Sequence, residues 1–222
     1  MKWIDKKHMQ NRYLWLLIGQ LLFFISVSKV DSYEIQYSKL FFAVSTSVIL
    51  VLGLLTITNV YLRRYGFIIT SAVVLLSMFG VYQERTIIYL ITFVFYFVVI
   101  LILTTSITTK LLKADKIDYT HISGSIAGFL MIPITLTLFL RMLFIFNAEV
   151  LSEPMATLGL HGLVYFSLLA VTKGYAEVIP VMPQAQMITA LFGVAAQFYI
   201  AVVVAIIIGK MMNSKANSKD SL

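Results

Sequence analysis

Cysteine is missing from all 222 residues. That excludes disulfides, thiolate metal sites, iron–sulfur ligation and cysteine nucleophiles, and it leaves the redox compartment open. Charge is scarce as well: charged residues make up 12% of the chain, against about 25% in an ordinary soluble domain. Of the few polar groups present, none forms an H-E-x-x-H pattern or a pair of aspartates within an apolar run, which removes the usual signatures of intramembrane hydrolases. What fills the chain instead is apolar: 60% hydrophobic residues, with a mean hydropathy of +0.93. A water-soluble globule of this size cannot hide so much apolar surface, so the class is all-α integral membrane. The formal net charge of +7 then reads as lysines and arginines gathered at the cytoplasmic ends of spans, with no nucleic-acid partner implied.

Six apolar runs define the expected spans, at about residues 13–28, 40–62, 65–81, 86–108, 122–144 and 187–212. Most approach the ~20 residues that cross a bilayer core. Between the fifth and sixth lies a mostly apolar stretch, residues 158–171. It is too short to span and suits a segment that enters the membrane and returns, which protein or water must cover. The first run is expected to be retained, because Trp3, Asp5, His8 and Gln10 precede it and no small-x-small cleavage site follows. With both termini inside, only Lys29, Lys39, Arg85, Arg141 and Lys173 of the 17 basic residues fall on outer or re-entrant segments. The positive-inside rule therefore puts both termini in the cytoplasm, for a multi-pass protein of the plasma (inner) membrane. A charged stretch, residues 109–121, is expected to be a linker, part of it lying on the inner leaflet. It divides a four-helix scaffold (1–112) from a second unit (120–212), and the polar tail 213–222 is expected to be disordered.

Residues 164–183 read VYFSLLAVTKGYAEVIPVMP. A short helix ends, a small-residue turn follows, and Pro180 and Pro183 precede the last span. This resembles the pore loop of the tetrameric potassium-channel superfamily, whose filter reads T-V-G-Y-G, then Asp, then Pro three residues on. Aligned on Gly174, the chain supplies Thr172, Lys173, Gly174, Tyr175, Ala176, Glu177 and Pro180, and its final run GVAAQFYIAVVVAIIIGK is similar to the inner helix of that family. The resemblance covers residues 122–210. It implies a homotetramer in membrane lipid with Thr172, Lys173, Gly174, Tyr175, Ala176 and Glu177 as selectivity filter. It further implies passive passage of a monovalent cation, potassium or sodium, with no catalytic residue, resident metal or cofactor. The physics is that a dehydrated cation regains its lost shell from rings of carbonyl oxygens. Aiming successive carbonyls inward requires left-handed backbone, which glycine adopts freely. A pore helix also aims its partial negative end at the cation.

Lys173 replaces the family's Val, Ala176 its second Gly and Glu177 its Asp, while Leu169 and Val171 stand where the family carries Thr. A buried unpaired ammonium is costly, so Lys173 is expected to pair, shed its proton or turn toward water, with Glu177, within or between copies, as its nearest candidate partner. These departures imply reduced or altered potassium selectivity. On the last span Ala196 aligns with the hinge glycine, Gly193 lies one turn earlier, and Val203 and Ile207 are candidates for an apolar gate; close packing is the competing role for Gly193. The fourth run contains no Lys or Arg, with Arg85 only preceding it, so an arginine-ladder voltage sensor is not expected. Lesser candidates are Arg141 with Glu149 and Glu153 at an outer mouth, the lone His121 and His161, and Gln20, Asn59 and Gln197 as hydrogen-bonders between spans. Two other readings stay open: a non-conducting or regulatory channel-like subunit, and a small-solute carrier, although inverted repeats are missing. An intramembrane enzyme is disfavoured, because SGSIAG at residues 123–128 fails the G-x-S-x-G spacing.

Overall fold

The computed structural model describes residues 12–29, 35–57, 60–83, 86–113, 119–174 and 176–219. Among them are seven helices and no strand: α1 (Arg12–Val27), α2 (Ile35–Leu55), α3 (Val60–Gln83), α4 (Thr86–Lys113), α5 (Tyr119–Phe146), α6 (Met155–Thr172) and α7 (Pro183–Lys219). Leu151 and Pro180 form an isolated antiparallel bridge. Three stretches are long and apolar enough to cross a membrane, Leu90–Lys110, Thr120–Phe146 and Pro183–Lys210, with mean hydropathies of 2.6, 2.2 and 2.6. Arg12–Val27, Ala43–Leu55 and Thr157–Thr172 are shorter apolar helices. The described part of the chain is thus all-helical, with apolar helices that associate with a membrane.

Helices are the natural form for such a sequence, because lipid offers backbone N–H and C=O groups no partner outside their own segment. Hydroxyls inside the apolar helices follow the same logic and bond back one turn. Thr92 donates to the Ile88 carbonyl at 2.8 Å, Thr135 to Met131 at 2.6 Å and Ser167 to Leu163 at 2.9 Å. Proline removes one such backbone bond, yet α5 continues through Pro133, whose carbonyl accepts the Thr137 hydroxyl at 2.9 Å.

Two apolar clusters hold the helices together, and α5 belongs to both. One joins α1, α2, α4 and α5 through Leu16, Leu50, Leu103 and Met131. The other joins α5, α6 and α7 through Leu140, Leu163, Phe166 and Ala196. Polar pairs mark the seams. Buried Gln20 on α1 donates to the Ala127 carbonyl of α5 at 3.0 Å, and Ser47 meets the Tyr96 hydroxyl at 2.8 Å. The SGSIAG stretch is a packing seam of α5. A Cβ on Gly124 would come within 3.2 Å of the Tyr13 ring, and one on Gly128 would collide with the Tyr199 hydroxyl. That hydroxyl donates to the Ser125 carbonyl at 2.9 Å, tying α7 to α5.

Two expectations are corrected. Residues 109–113 are the last turn of α4 rather than linker, and α5 begins at Tyr119; residues 114–118 lie outside the described residues. The tail expected to be disordered is helical over residues 213–219, and residues 220–222 lie outside the described residues. Residues 213–219 contain no Gly or Pro, and extending an existing helix avoids the unfavourable nucleation step.

Candidate functional site

The segment between α5 and α7 is built from its two ends inward. At the end of α5 the Asn147 N–H bonds the Leu143 carbonyl at 3.0 Å, and the Asn147 side chain accepts the Glu149 N–H at 2.9 Å. The chain then crosses through fully buried Val150 and Leu151 to Pro154. Pro154, extended at ψ 150, opens α6 and its carbonyl takes the N–H groups of Thr157 and Leu158 at 3.1 and 3.0 Å. Gly159, at φ 65 and ψ −175, breaks the helix after this first turn, a conformation open essentially to glycine alone. The regular run is therefore residues 160–172, close to the short helix expected at 158–171.

The exit from α6 is where the filter candidates lie. Thr172 turns its hydroxyl back to the Leu168 carbonyl at 2.6 Å. Lys173 caps the helix in right-handed backbone (φ −102, ψ −17) with its N–H on the Leu169 carbonyl. Gly174 then swings to φ 78, exposed, with nothing within 4 Å of where a Cβ would sit. Tyr175 lies outside the described residues. Ala176 is half-buried against the second cluster and Glu177 is exposed. Lys173 is exposed too, and among the described residues no ion pair joins it to Glu177 within the chain. The intrachain version of that expected pair is corrected. Lys173 still follows the helix while Glu177 lies beyond the left-handed turn, and both are exposed on the single chain.

From Gly174 the chain returns to where it entered. Ser152 N–H bonds the Ile179 carbonyl at 2.7 Å, the Ile179 N–H bonds the Ser152 hydroxyl at 3.0 Å, and Val181 N–H bonds the Val150 carbonyl at 3.0 Å. The Gln186 side chain donates to the Pro180 carbonyl at 3.0 Å, fixing the first turn of α7 to this clasp. Residues 160–172 rise about 20 Å as helix. The eight residues 173–180 reach at most about 29 Å fully stretched, which is more than enough to bring the chain back beside the helix to the bridge. The result is a closed excursion of the chain, hereafter the dip, bridged at its mouth by Leu151 and Pro180, with Thr172, Lys173, Gly174, Ala176 and Glu177 near its turning point.

Beside the dip lies an open groove of about 720 Å³, lined by Phe166, Ala170, Gly174, Ala176, Gly193 and Gln197 among others. Its far wall is α7, the most exposed of the long apolar helices: 11% of its span is buried, against 50% for α5. α7 runs unbroken through Gly193 and Ala196. Gly193 faces the Ala170 carbonyl, 3.5 Å from where its Cβ would stand, so it serves the close approach of α6 and α7. Ala196 and Val203 are buried on the side of α7 turned to its own chain, and Ile207 is half-buried. The open side carries Gln197, Ala201, Ala205 and Gly209. Together with Gly193 they recur every fourth residue, a periodic signal that was present in the sequence and that the gate candidates missed. Gln197 is exposed on the groove, and Asn59 lies outside the described residues. Arg141 stacks over the Phe93 ring at 5.8 Å, while Glu149 and Glu153 are exposed. Among the described residues no group of three or more His, Asp or Glu side chains is placed to hold a metal ion.

No protein-family model, curated protein or solved structure matches this chain.

Proposed function

We propose that the protein is a pore-forming subunit of a cation channel in which four copies bring their dips to a common axis. The chain crosses the membrane six times with both termini in the cytoplasm, and residues 172–177 line the path of the ion. The observation that carries this reading is the clasped dip itself. A short helix descends, the chain turns at a left-handed glycine, and it returns to pair Pro180 with Leu151. Such a loop offers successive peptide oxygens at the end of a helix whose C-terminal dipole favours a cation. Further support comes from the groove and the bare face of α7. Ala201, Ala205 and Gly209, small residues four apart on that face, let helix backbones approach closely, and one dip cannot enclose a pore alone.

Selectivity for potassium is weak in this reading. Lys173 is exposed at the turning point, and an ammonium 4 Å from a permeant cation repels it by about 4 kcal/mol at an effective dielectric of 20. Ala176 replaces a glycine that the filter of the potassium-channel superfamily uses. The test is reconstitution of the purified protein in planar bilayers, with reversal potentials measured under opposed potassium and sodium gradients. Weakly selective cation currents are expected. Tight potassium selectivity would overturn the selectivity claim, and no current from particles that are single copies in nanodiscs would overturn the channel reading.

A further inference from the structure

The end of the bundle remote from the dip carries cations that the channel reading leaves without a task. Arg12 on α1 donates through Nη1 to the Leu55 carbonyl at 3.0 Å, and Lys110 on α4 donates through Nζ to the Thr56 carbonyl. Two side chains from different helices thus converge on adjacent carbonyls at the C-terminal end of α2. Capping a helix end with cations is favourable, but these two carbonyls occupy only part of what the cations offer. A guanidinium has five N–H donors and an ammonium three, so several remain. Both side chains are half-buried, which weakens the screening water would give two like charges held close together. Half-buried Arg63 and exposed Arg64 follow in the first turn of α3 and add charge of the same sign. The described acids, Glu149, Glu153 and Glu177, lie at the other end of the molecule. Tyr13, next to Arg12, packs at Gly124 near the start of α5, whereas Glu149 and Glu153 follow its C-terminus and Glu177 sits by the clasp. The span from Gly124 to Phe146 is roughly 33 Å of helix.

We infer that Arg12 and Lys110 form a receptor for the phosphate of an anionic phospholipid headgroup. The ligand is a phosphodiester because its oxygens accept several donors from two cations at once, and the guanidinium fork of Arg12 matches that geometry. A lipid is the source because both residues sit at the ends of apolar helices, Lys110 closing the apolar stretch Leu90–Lys110, where headgroups lie. The inference rests on the membrane placement of the chain and not on conduction. Its test reads lipid retention, so its failure and that of the channel reading are separate results.

The experiment is native mass spectrometry of the full chain released from nanodiscs holding equal parts phosphatidylglycerol and phosphatidylcholine. Retained phosphatidylglycerol is expected to exceed phosphatidylcholine at least tenfold on the unmodified protein, and equal retention overturns the inference. The R12Q/K110Q variant is expected to lose retention about fivefold or more. R63Q/R64Q is expected to change it less than twofold, and equal losses from both would mean a diffuse surface field instead of this site. Because R12Q/K110Q also uncaps α2, R12K/K110R serves as the charge-preserving partner and is expected to restore most retention; loss of retention in that variant, with the protein folded by circular dichroism, also overturns the site. Inorganic phosphate added in excess is expected to leave the bound lipid in place. Displacement by phosphate alone would reassign the receptor to a free anion.

Discussion

Gly174 and Gly209 offer a matched pair of substitutions that isolates backbone conformation from packing. A Cβ at either position meets nothing of its own chain within 4 Å, so neither alanine variant introduces a clash within the chain. They differ in backbone alone. Gly174 stands at φ 78, where an L-residue costs about 1–2 kcal/mol, while Gly209 lies inside α7, where alanine is favoured over glycine by about 1 kcal/mol. For a chain of this size each kcal/mol moves the melting temperature by about 2–4 °C. G174A is therefore expected to melt about 2–8 °C below the parent and G209A about 2–4 °C above it. Differential scanning fluorimetry of the purified protein in one detergent measures both. In the proposed ring of four the strain at position 174 recurs in every copy, about 4–8 kcal/mol in all, so G174A is also expected to conduct far less than the parent at equal protein density. Shifts of the same sign and size in the two variants would refute a left-handed turn at Gly174, and with it the geometry on which the dip depends.

The Tyr199 hydroxyl, which bonds the Ser125 carbonyl, is expected to contribute about 0.5–1.5 kcal/mol, measured as the loss of stability in Y199F. G128A should destabilise by forcing the same hydroxyl aside, and a double-mutant cycle should show part of that loss recovered in G128A/Y199F; strict additivity would mean that the two residues do not meet. Gln20 is fully buried, with its Nε2 on the Ala127 carbonyl and its Oε1 without a partner among the described residues. Q20L removes one bond and one stranded acceptor together and should change stability by less than about 1.5 kcal/mol, whereas Q20A also leaves a cavity and should cost about 2 kcal/mol or more by denaturant titration. K173V is expected to move the reversal potential toward that of potassium, because it removes an exposed ammonium from the turning point; an unchanged reversal potential would place Lys173 away from the ion path.

Local chemistry was legible without coordinates. Runs of apolar residues long enough to demand internally bonded backbone marked where α1 to α5 and α7 lie, and the short run before Thr172 marked α6. The composition alone made the chain helical and membrane-associated, because a lipid environment leaves so few alternatives for the peptide group. Pro183, just ahead of the last apolar run, likewise announced the start of α7. What hydropathy could not carry is which residues meet. The pairing of Leu151 with Pro180 joins positions on either side of α6, and nothing in either residue names the other. The same holds for Tyr199 over Gly128, and for Arg12 and Lys110 arriving from two helices at the end of a third. Val203 and Gln197 show the limit most plainly. Both sit on one apolar helix, and only the docking of α7 on α5 and α6 turned the first inward and left the second on the open groove. Side-chain order along a chain sets the periodicity of a helix, but the rotation of that helix about its axis is set by the surfaces it packs against.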